Sequence, residues 1–316
     1  MTLHWRFDAG NPVIRPGQLN GALDAHGTAT GQVIQVGDRY RMYYWGRGDD
    51  GVNRICIAEA PVDHPNQWAG RGAVLGPQPE TAYNCNGPVI PAVLPRDDGP
   101  WLMVMGTNAQ RRGSEMFWWY TGLAQSEDEG LTWRYITTEP LIAPDRWYDA
   151  LGTGTAFILR EGELYHMYYT AGAAYDEIGK PIVGIAYAES RDGLHWTKPL
   201  NDWVVAPRRN SVSPVERWVA KPCVVREGNG YRMWVSAAGD DYRVYSLTSS
   251  DGIAWAWDDY DPRLGALGIG APGSFDDTKR SYATVTRADN EYRLWYSGNG
   301  YGATGMGYAT AAVDIG

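Results

Sequence analysis

Four carboxylates and an amide recur at one register of this sequence. Asp24, Asp149 and Asp276 each stand 16 residues before the tyrosine that opens a Tyr-x-Met-Tyr type of phrase, at Tyr40, Tyr165 and Tyr292. Glu216 stands 15 before Tyr231, and Asn84 takes the place in the remaining copy once the longer turn at 95–100 is allowed one extra residue. The local match is close: Asp24-Ala25-His26-Gly27-Thr28-Ala29-Thr30 parallels Asp149-Ala150-Leu151-Gly152-Thr153-Gly154-Thr155. Carboxylates that converge raise one another's pKa values. One is then held protonated to donate to a leaving oxygen, and another stays ionised to activate water or attack an anomeric carbon, which is the chemistry of glycosidic cleavage. Aspartate at such a position also suits a turn leading into a strand; that reading explains less well the switch to Glu216.

The neighbouring residues fit a sugar site. Tyr83, Trp147, Trp218 and Tyr282 lie in equivalent approach segments and offer rings for a sugar face. His26 is the one histidine in such a segment, suited to bonding substrate, to holding an axial ion or to a structural role. Among only four lysines, Lys221 and Lys279 fall beside Arg217 and Arg280. These cations either balance the acidic register or bind an anion: a uronate, a sugar phosphate or free phosphate. Asn84, Asp276, Arg217, Lys221 and Arg280 complete the candidate substrate-binding set. No Cys/His spacing of a metal site, phosphate-binding loop or dinucleotide fingerprint occurs, so no metal or other cofactor is expected.

The elements that must position these residues repeat. Tyr40-Arg41-Met42-Tyr43-Tyr44, Tyr165-His166-Met167-Tyr168-Tyr169, Tyr231-Arg232-Met233-Trp234 and Tyr292-Arg293-Leu294-Trp295-Tyr296 are four copies of one strand, and Trp101-Leu102-Met103-Val104-Met105 is a degraded fifth. Their spacing, roughly 60 residues, argues for an all-β five-bladed β-propeller forming a single domain over 1–316. In the third repeat the expected strands are Thr155–Leu159, Leu164–Tyr169 and Ile182–Glu189, with a stub near His195–Trp196. The last repeat stops after 305–312 without an outer strand. Leu3-His4-Trp5-Arg6 resembles Leu194-His195-Trp196-Thr197, so the N-terminal strand is expected to complete the last blade and close the ring.

Composition narrows the partners. A net charge of −9 and a pI near 5.1 argue against nucleic acid or an anionic membrane. The start Met1-Thr2-Leu3-His4-Trp5-Arg6 lacks a signal peptide's apolar core, and no run reaches membrane-spanning length. Cys56, Cys85 and Cys223 fall in different repeats and read as free thiols of a cytoplasmic protein. The 15 Trp and 21 Tyr against 4 Phe favour rings with a polar handle, yet Trp68, Trp133, Trp196 and Trp255 recur as outer-strand framework.

Ser126-Glu127-Asp128-Glu129-Gly130-Leu131-Thr132-Trp133 resembles the Asp-box, a hairpin turn known from sialidases and other propellers; Ser190–Trp196 and Ser249–Trp255 are shorter by one residue. With the Tyr-x-Met-Tyr-Tyr phrases and the order Asp, Asp, Glu in the first, third and fourth repeats, the whole chain resembles the five-bladed glycosidases of glycoside hydrolase families 43, 32, 68 and 117, and more distantly phosphorylase family 130. The resemblance implies a glycoside hydrolase acting on a small glycoside or oligosaccharide, with Asp24 as general base, Asp149 as its modulator and Glu216 as general acid. A phosphorylase, or a propeller that binds a sugar without cleaving it, remains open. Family 43 sets its Asp directly before Pro; here Asp24 has no following Pro, and Glu216 precedes Pro222 by six. The histidine that supports an axial calcium or water cluster in some family 43 enzymes has no evident counterpart, so no obligate metal is predicted and an axial calcium stays open.

Overall fold

Each Tyr-x-Met/Leu-Tyr/Trp copy packs large rings and an unbranched or γ-branched apolar side chain at closely spaced positions, and each becomes the second strand of an antiparallel meander. The computed structural model describes residues 3–109, 119–209, 215–239, 241–288 and 290–313. A short strand β1 (Arg6–Phe7) comes first. The first meander is β2 (Gly27–Val36), β3 (Arg39–Arg47), β4 (Asn53–Pro61) and β5 (Ala69–Leu75). The second is β6 (Pro88–Leu94), β7 (Trp101–Asn108), β8 (Trp119–Ser126) and β9 (Arg134–Tyr135). The third is β10 (Gly152–Glu161), β11 (Leu164–Tyr175) and β12 (Pro181–Ser190), with isolated bridges from Glu189 to Thr197 and from Ile185 to Val205 in place of a fourth strand. Then come β13 (Trp218–Glu227), β14 (Gly230–Ala238), β15 (Tyr242–Ser249) and β16 (Ala256–Trp257). The last strands are β17 (Ser281–Ala288), β18 (Glu291–Ser297) and β19 (Met306–Ala312).

The result is an all-β, propeller-type arrangement. The third and fourth meanders touch through one parallel pair, Val183 with Trp218, and so read as a seven-stranded sheet. Strand β1 pairs antiparallel with β19, Arg6 opposite Thr310 and Phe7 opposite Ala309. The N-terminal segment thus supplies the outer strand that the last meander lacks, just past the Leu3-His4-Trp5 phrase that pointed to it. The first meander also meets the last: Thr30 N donates to Ser297 Oγ at 3.1 Å, and Arg293 Nη1 to Tyr40 Oη at 2.9 Å.

The core lies between the sheets and is built from the repeated rings. Tyr43, Tyr44, Tyr169, Trp234, Trp295 and Tyr296 are wholly buried. The Asp-box turns stitch neighbouring sheets together. Trp133, Trp196 and Trp255 each donate Nε1 to the carbonyl of the turn glycine three residues back, at 3.0–3.1 Å. Tyr43 and Tyr168 donate to the carbonyls of Gly130 and Gly252 from adjacent meanders, both at 2.9 Å, and set their ring edges on Trp133 and Trp255. Desolvation raises the exposed Asp128 carboxyl, but hydrogen bonds from Thr132 and Ser126 win and hold it at about 2. Cys56 and Cys223 are buried thiols and Cys85 is half-buried, none in a disulfide. Among the described residues no helix is long and apolar enough to cross a membrane.

Candidate functional site

The acidic register is buried inside the individual meanders. Asp24 follows a short 3-10 turn (Gly21–Leu23) and accepts from Tyr44 Oη at 2.6 Å and from Asn20 N at 3.3 Å. Asp149 closes a second 3-10 turn and accepts from Arg146 N (2.8 Å), Tyr169 Oη (3.0 Å) and Lys198 Nζ (2.5 Å). Asp276 accepts from Ser274 Oγ (2.8 Å), Tyr296 Oη (2.7 Å) and Arg280 Nε (2.7 Å). In all three the tyrosine comes from the second strand of the same meander. Glu216 is taken by Arg208, through N on Oε1 at 3.0 Å and Nη2 on Oε2 at 2.8 Å. That guanidinium lies 3.9 Å over the Trp257 ring and 4.4 Å over Tyr245. Burial pushes the Asp24 carboxyl above its ordinary value, against the lowering pull of Tyr44 and Asn20.

A different set of residues meets at the centre. Thr30, Ile90, Thr155 and Tyr282 lie six residues beyond Asp24, Asn84, Asp149 and Asp276, and Lys221 lies five beyond Glu216. Each sits at or beside a β-bulge in the first strand of its meander, where the register slips. Ile90, Lys221 and Tyr282 have φ of 45°, 53° and 54°. Non-glycine residues pay for such left-handed backbone, and they do so most often where function needs it. Hydrogen bonds tie the bulged segments of four meanders to one another. Thr30 Oγ1 donates to the Tyr282 carbonyl, Lys221 N to Thr170 Oγ1 at 3.3 Å, and Lys221 Nζ to the Ala283 carbonyl. Thr155 and Thr170 share a hydroxyl bond of 2.9 Å.

Above these bulges opens a cavity of about 430 Å³ lined from every meander. Ile90, Thr155, Thr170 and Ala220 contribute to its wall, as do the rings of Trp45, Trp119, Trp218, Tyr242 and Tyr282. Asn53, Asn86, Asn108 and Arg47 supply its polar groups, and among the described residues no carboxylate lines it. Trp119 and Trp218 stand edge to face at 5.6 Å.

Of the residues singled out in the sequence, Trp218 and Tyr282 line this cavity. Asp24, Asp149, Glu216 and Asp276 do not. His26 is exposed beside Asp49 at 3.3 Å. Trp147 is 56% exposed and leans on Trp203, donating to the Asn201 carbonyl. Tyr83 and Asn84 are buried against Gln78, at 3.2 and 3.0 Å. Arg217 pairs with Asp176, Lys279 with Asp241 and Arg280 with Asp276. Lys221 is buried with its ammonium on a carbonyl. The lining residues that sequence reasoning missed carry one legible signal. Trp45, Gly106 and Thr170 each directly follow the repeated strand phrase, so the same counting that found the acids finds this part of the wall.

Among the described residues no group of three or more His, Cys, Asp or Glu side chains is placed to hold a metal. The fold is an all-β, propeller-type architecture shared with several solved structures. A solved structure described as a glycoside hydrolase superposes with a TM-score of 0.74 at 18% identity, covering 96% of this chain and 93% of that one. A thermostable family-43 glycoside hydrolase gives 0.67 at 18%, covering 95% and 92%. A structure from work on the GH130 family of mannoside phosphorylases, which contains glycoside hydrolases that target β-1,2 mannosidic linkages in Candida mannan, gives 0.71 at 15%, covering 99% and 97%. No protein-family profile matches the chain. It belongs to the family of the uncharacterized proteins MT1551 and Rv1502 of Mycobacterium tuberculosis, to each of which it is 32% identical over 286 residues, 86% of this chain and 88% of theirs.

Proposed function

We propose that the five meanders are blades of one closed propeller domain, latched by β1, and that the cavity where they meet binds a small carbohydrate. One observation carries this reading. The cavity wall combines aromatic rings with amide groups, and among the described residues it has no carboxylate. Rings cover the apolar face of a pyranose while fixed amides meet its hydroxyls, the usual composition of a small-molecule site with a few placed polar groups. The chain then recognises a sugar whose anomeric carbon meets no acid from the described wall.

Glycoside hydrolysis is the second reading, favoured by the descriptions of the fold neighbours. It assigns the base to Asp24, its modulator to Asp149 and the acid to Glu216. It requires Arg208 to release Glu216 and the two carboxyls to face one another across a substrate at about 5–10 Å. A panel of mono- and oligosaccharides tested by saturation-transfer NMR, beside aryl glycosides assayed with and without phosphate, separates the two. Saturable sugar binding without turnover is the expected result. Turnover that Glu216→Gln abolishes would replace recognition with hydrolysis, and phosphate-dependent turnover would replace it with phosphorolysis.

A further inference from the structure

We propose that the central cavity selects an acidic sugar, a uronate whose carboxylate is held by Arg47. This rests on the reading of the cavity as a carbohydrate site. Arg47 ends β3 and is exposed on the cavity wall, and among the described residues no carboxylate pairs with its guanidinium. The acids of its own turn are already taken: Asp49 faces His26 at 3.3 Å, and Asp50 holds Arg54 through both oxygens. Lys221 is a second uncompensated cation. It is 4% exposed, its ammonium meets the Ala283 carbonyl, and no carboxylate among the described residues pairs with it. Its backbone N–H bonds Thr170, which is itself part of the cavity wall.

A chain of net charge −9 thus bounds its central cavity with positive charge alone among the described residues. A cleft with low-dielectric walls focuses such a field onto whatever enters it. Arg47 offers a planar fork that matches a carboxylate in two parallel hydrogen bonds. The amide nitrogens of Asn86 and Asn108 are spent on the carbonyls of Ala109 and Gly87, at 2.8 and 3.2 Å. Their carbonyl oxygens remain as acceptors for sugar hydroxyls, and Trp218 supplies the ring face.

The test titrates methyl glucuronide, methyl galacturonide, the parent methyl hexosides, a hexose 6-phosphate and inorganic phosphate against the wild-type protein, Arg47→Gln and Trp218→Ala. Calorimetry and saturation-transfer NMR read the binding. A uronate is expected to bind about tenfold or more tighter than its parent hexoside, with the advantage shrinking as salt rises. Arg47→Gln removes that advantage by weakening the uronate far more than the hexoside, while Trp218→Ala weakens both in like proportion. Equal affinity for uronate and hexoside overturns the acidic specificity and leaves the sugar reading standing. Binding of no sugar at all overturns both. Tighter binding of phosphate or hexose phosphate than of either uronate overturns the carboxylate assignment, and a uronate preference that survives in Arg47→Gln overturns the role of Arg47.

Discussion

The Tyr44 hydroxyl donates to Asp24 Oδ2 at 2.6 Å, joining the turn that leads into β2 to the middle of β3. Tyr169 and Tyr296 make the same contact with Asp149 and Asp276, again across 20 residues. Each buried carboxyl, accepting from its tyrosine, holds the approach turn against the second strand of its meander. The repeated phrase is therefore a repeated hydrogen bond as much as a repeated strand.

Asp24→Asn tests how that carboxylate acts. Its folded pKa is raised by burial, so the folded state holds more protons than the unfolded chain between the ordinary aspartate value and the raised one. Wild-type stability falls as pH climbs through that window, and the loss is complete above it. An amide oxygen still accepts from Tyr44 and Asn20 without a buried charge. Thermal unfolding is expected to show the variant at least as stable as wild type at pH 7, with its relative advantage gone near pH 3.5. A lower melting temperature at pH 7 together with an unchanged pH slope refutes the argument.

Lys221→Met probes the buried cation. Burial pushes the lysine down to about 8, so between about 8 and 10.4 the folded state holds fewer protons than the unfolded chain and stability rises with pH. Below that window the penalty is fully present, roughly 3 kcal/mol at 1.36 kcal/mol per pKa unit. Methionine fills similar space without it. Urea unfolding should find the variant more stable at pH 7, with the gap closing by pH 10. A gap that does not narrow counts against an ammonium buried without a counter-charge.

Glu216→Gln separates a structural carboxylate from an acid catalyst. In the recognition reading it breaks a buried ion pair and strands Arg208, destabilising the protein by about 3–5 kcal/mol while sugar affinity holds in the folded fraction. In the hydrolysis reading it also removes about 10²–10⁴ in turnover. Denaturant melts and a binding titration on the same preparation decide between them.

Deletion of residues 1–7 removes β1 and bares the edge of β19. An unpaired edge strand invites self-association. The truncated chain is expected to melt at a lower temperature and to form larger species in size-exclusion chromatography. An unchanged melting temperature refutes the latch.

Local chemistry made much of this molecule legible from its sequence. The Tyr-x-Met-Tyr phrases specify strands because alternation and ring content do so without distant help. The Ser-x-Asp-Gly-x-x-Trp phrases specify turns because Asp and Gly satisfy them from within. The likeness of Leu3-His4-Trp5-Arg6 to Leu194-His195-Trp196-Thr197 foretold the pairing of β1 with β19. Counting also located one equivalent residue per repeat, and those equivalences hold in Asp24, Asp149 and Asp276. How far each residue stands from the centre was decided only by the tertiary structure. Bulges at Ile90, Lys221 and Tyr282 carry the chain to the cavity after the acids have been left behind in their turns. No local signal predicts the left-handed backbone at those positions, because at isoleucine, lysine or tyrosine it is held there by tertiary packing and not by the residue's own preference. Whether like charges converge or disperse is likewise settled by their partners: Arg208 and Glu216 lie eight residues apart, but Lys198 reaches Asp149 from 49 residues away, and a contact of that range exists only once the blades have packed.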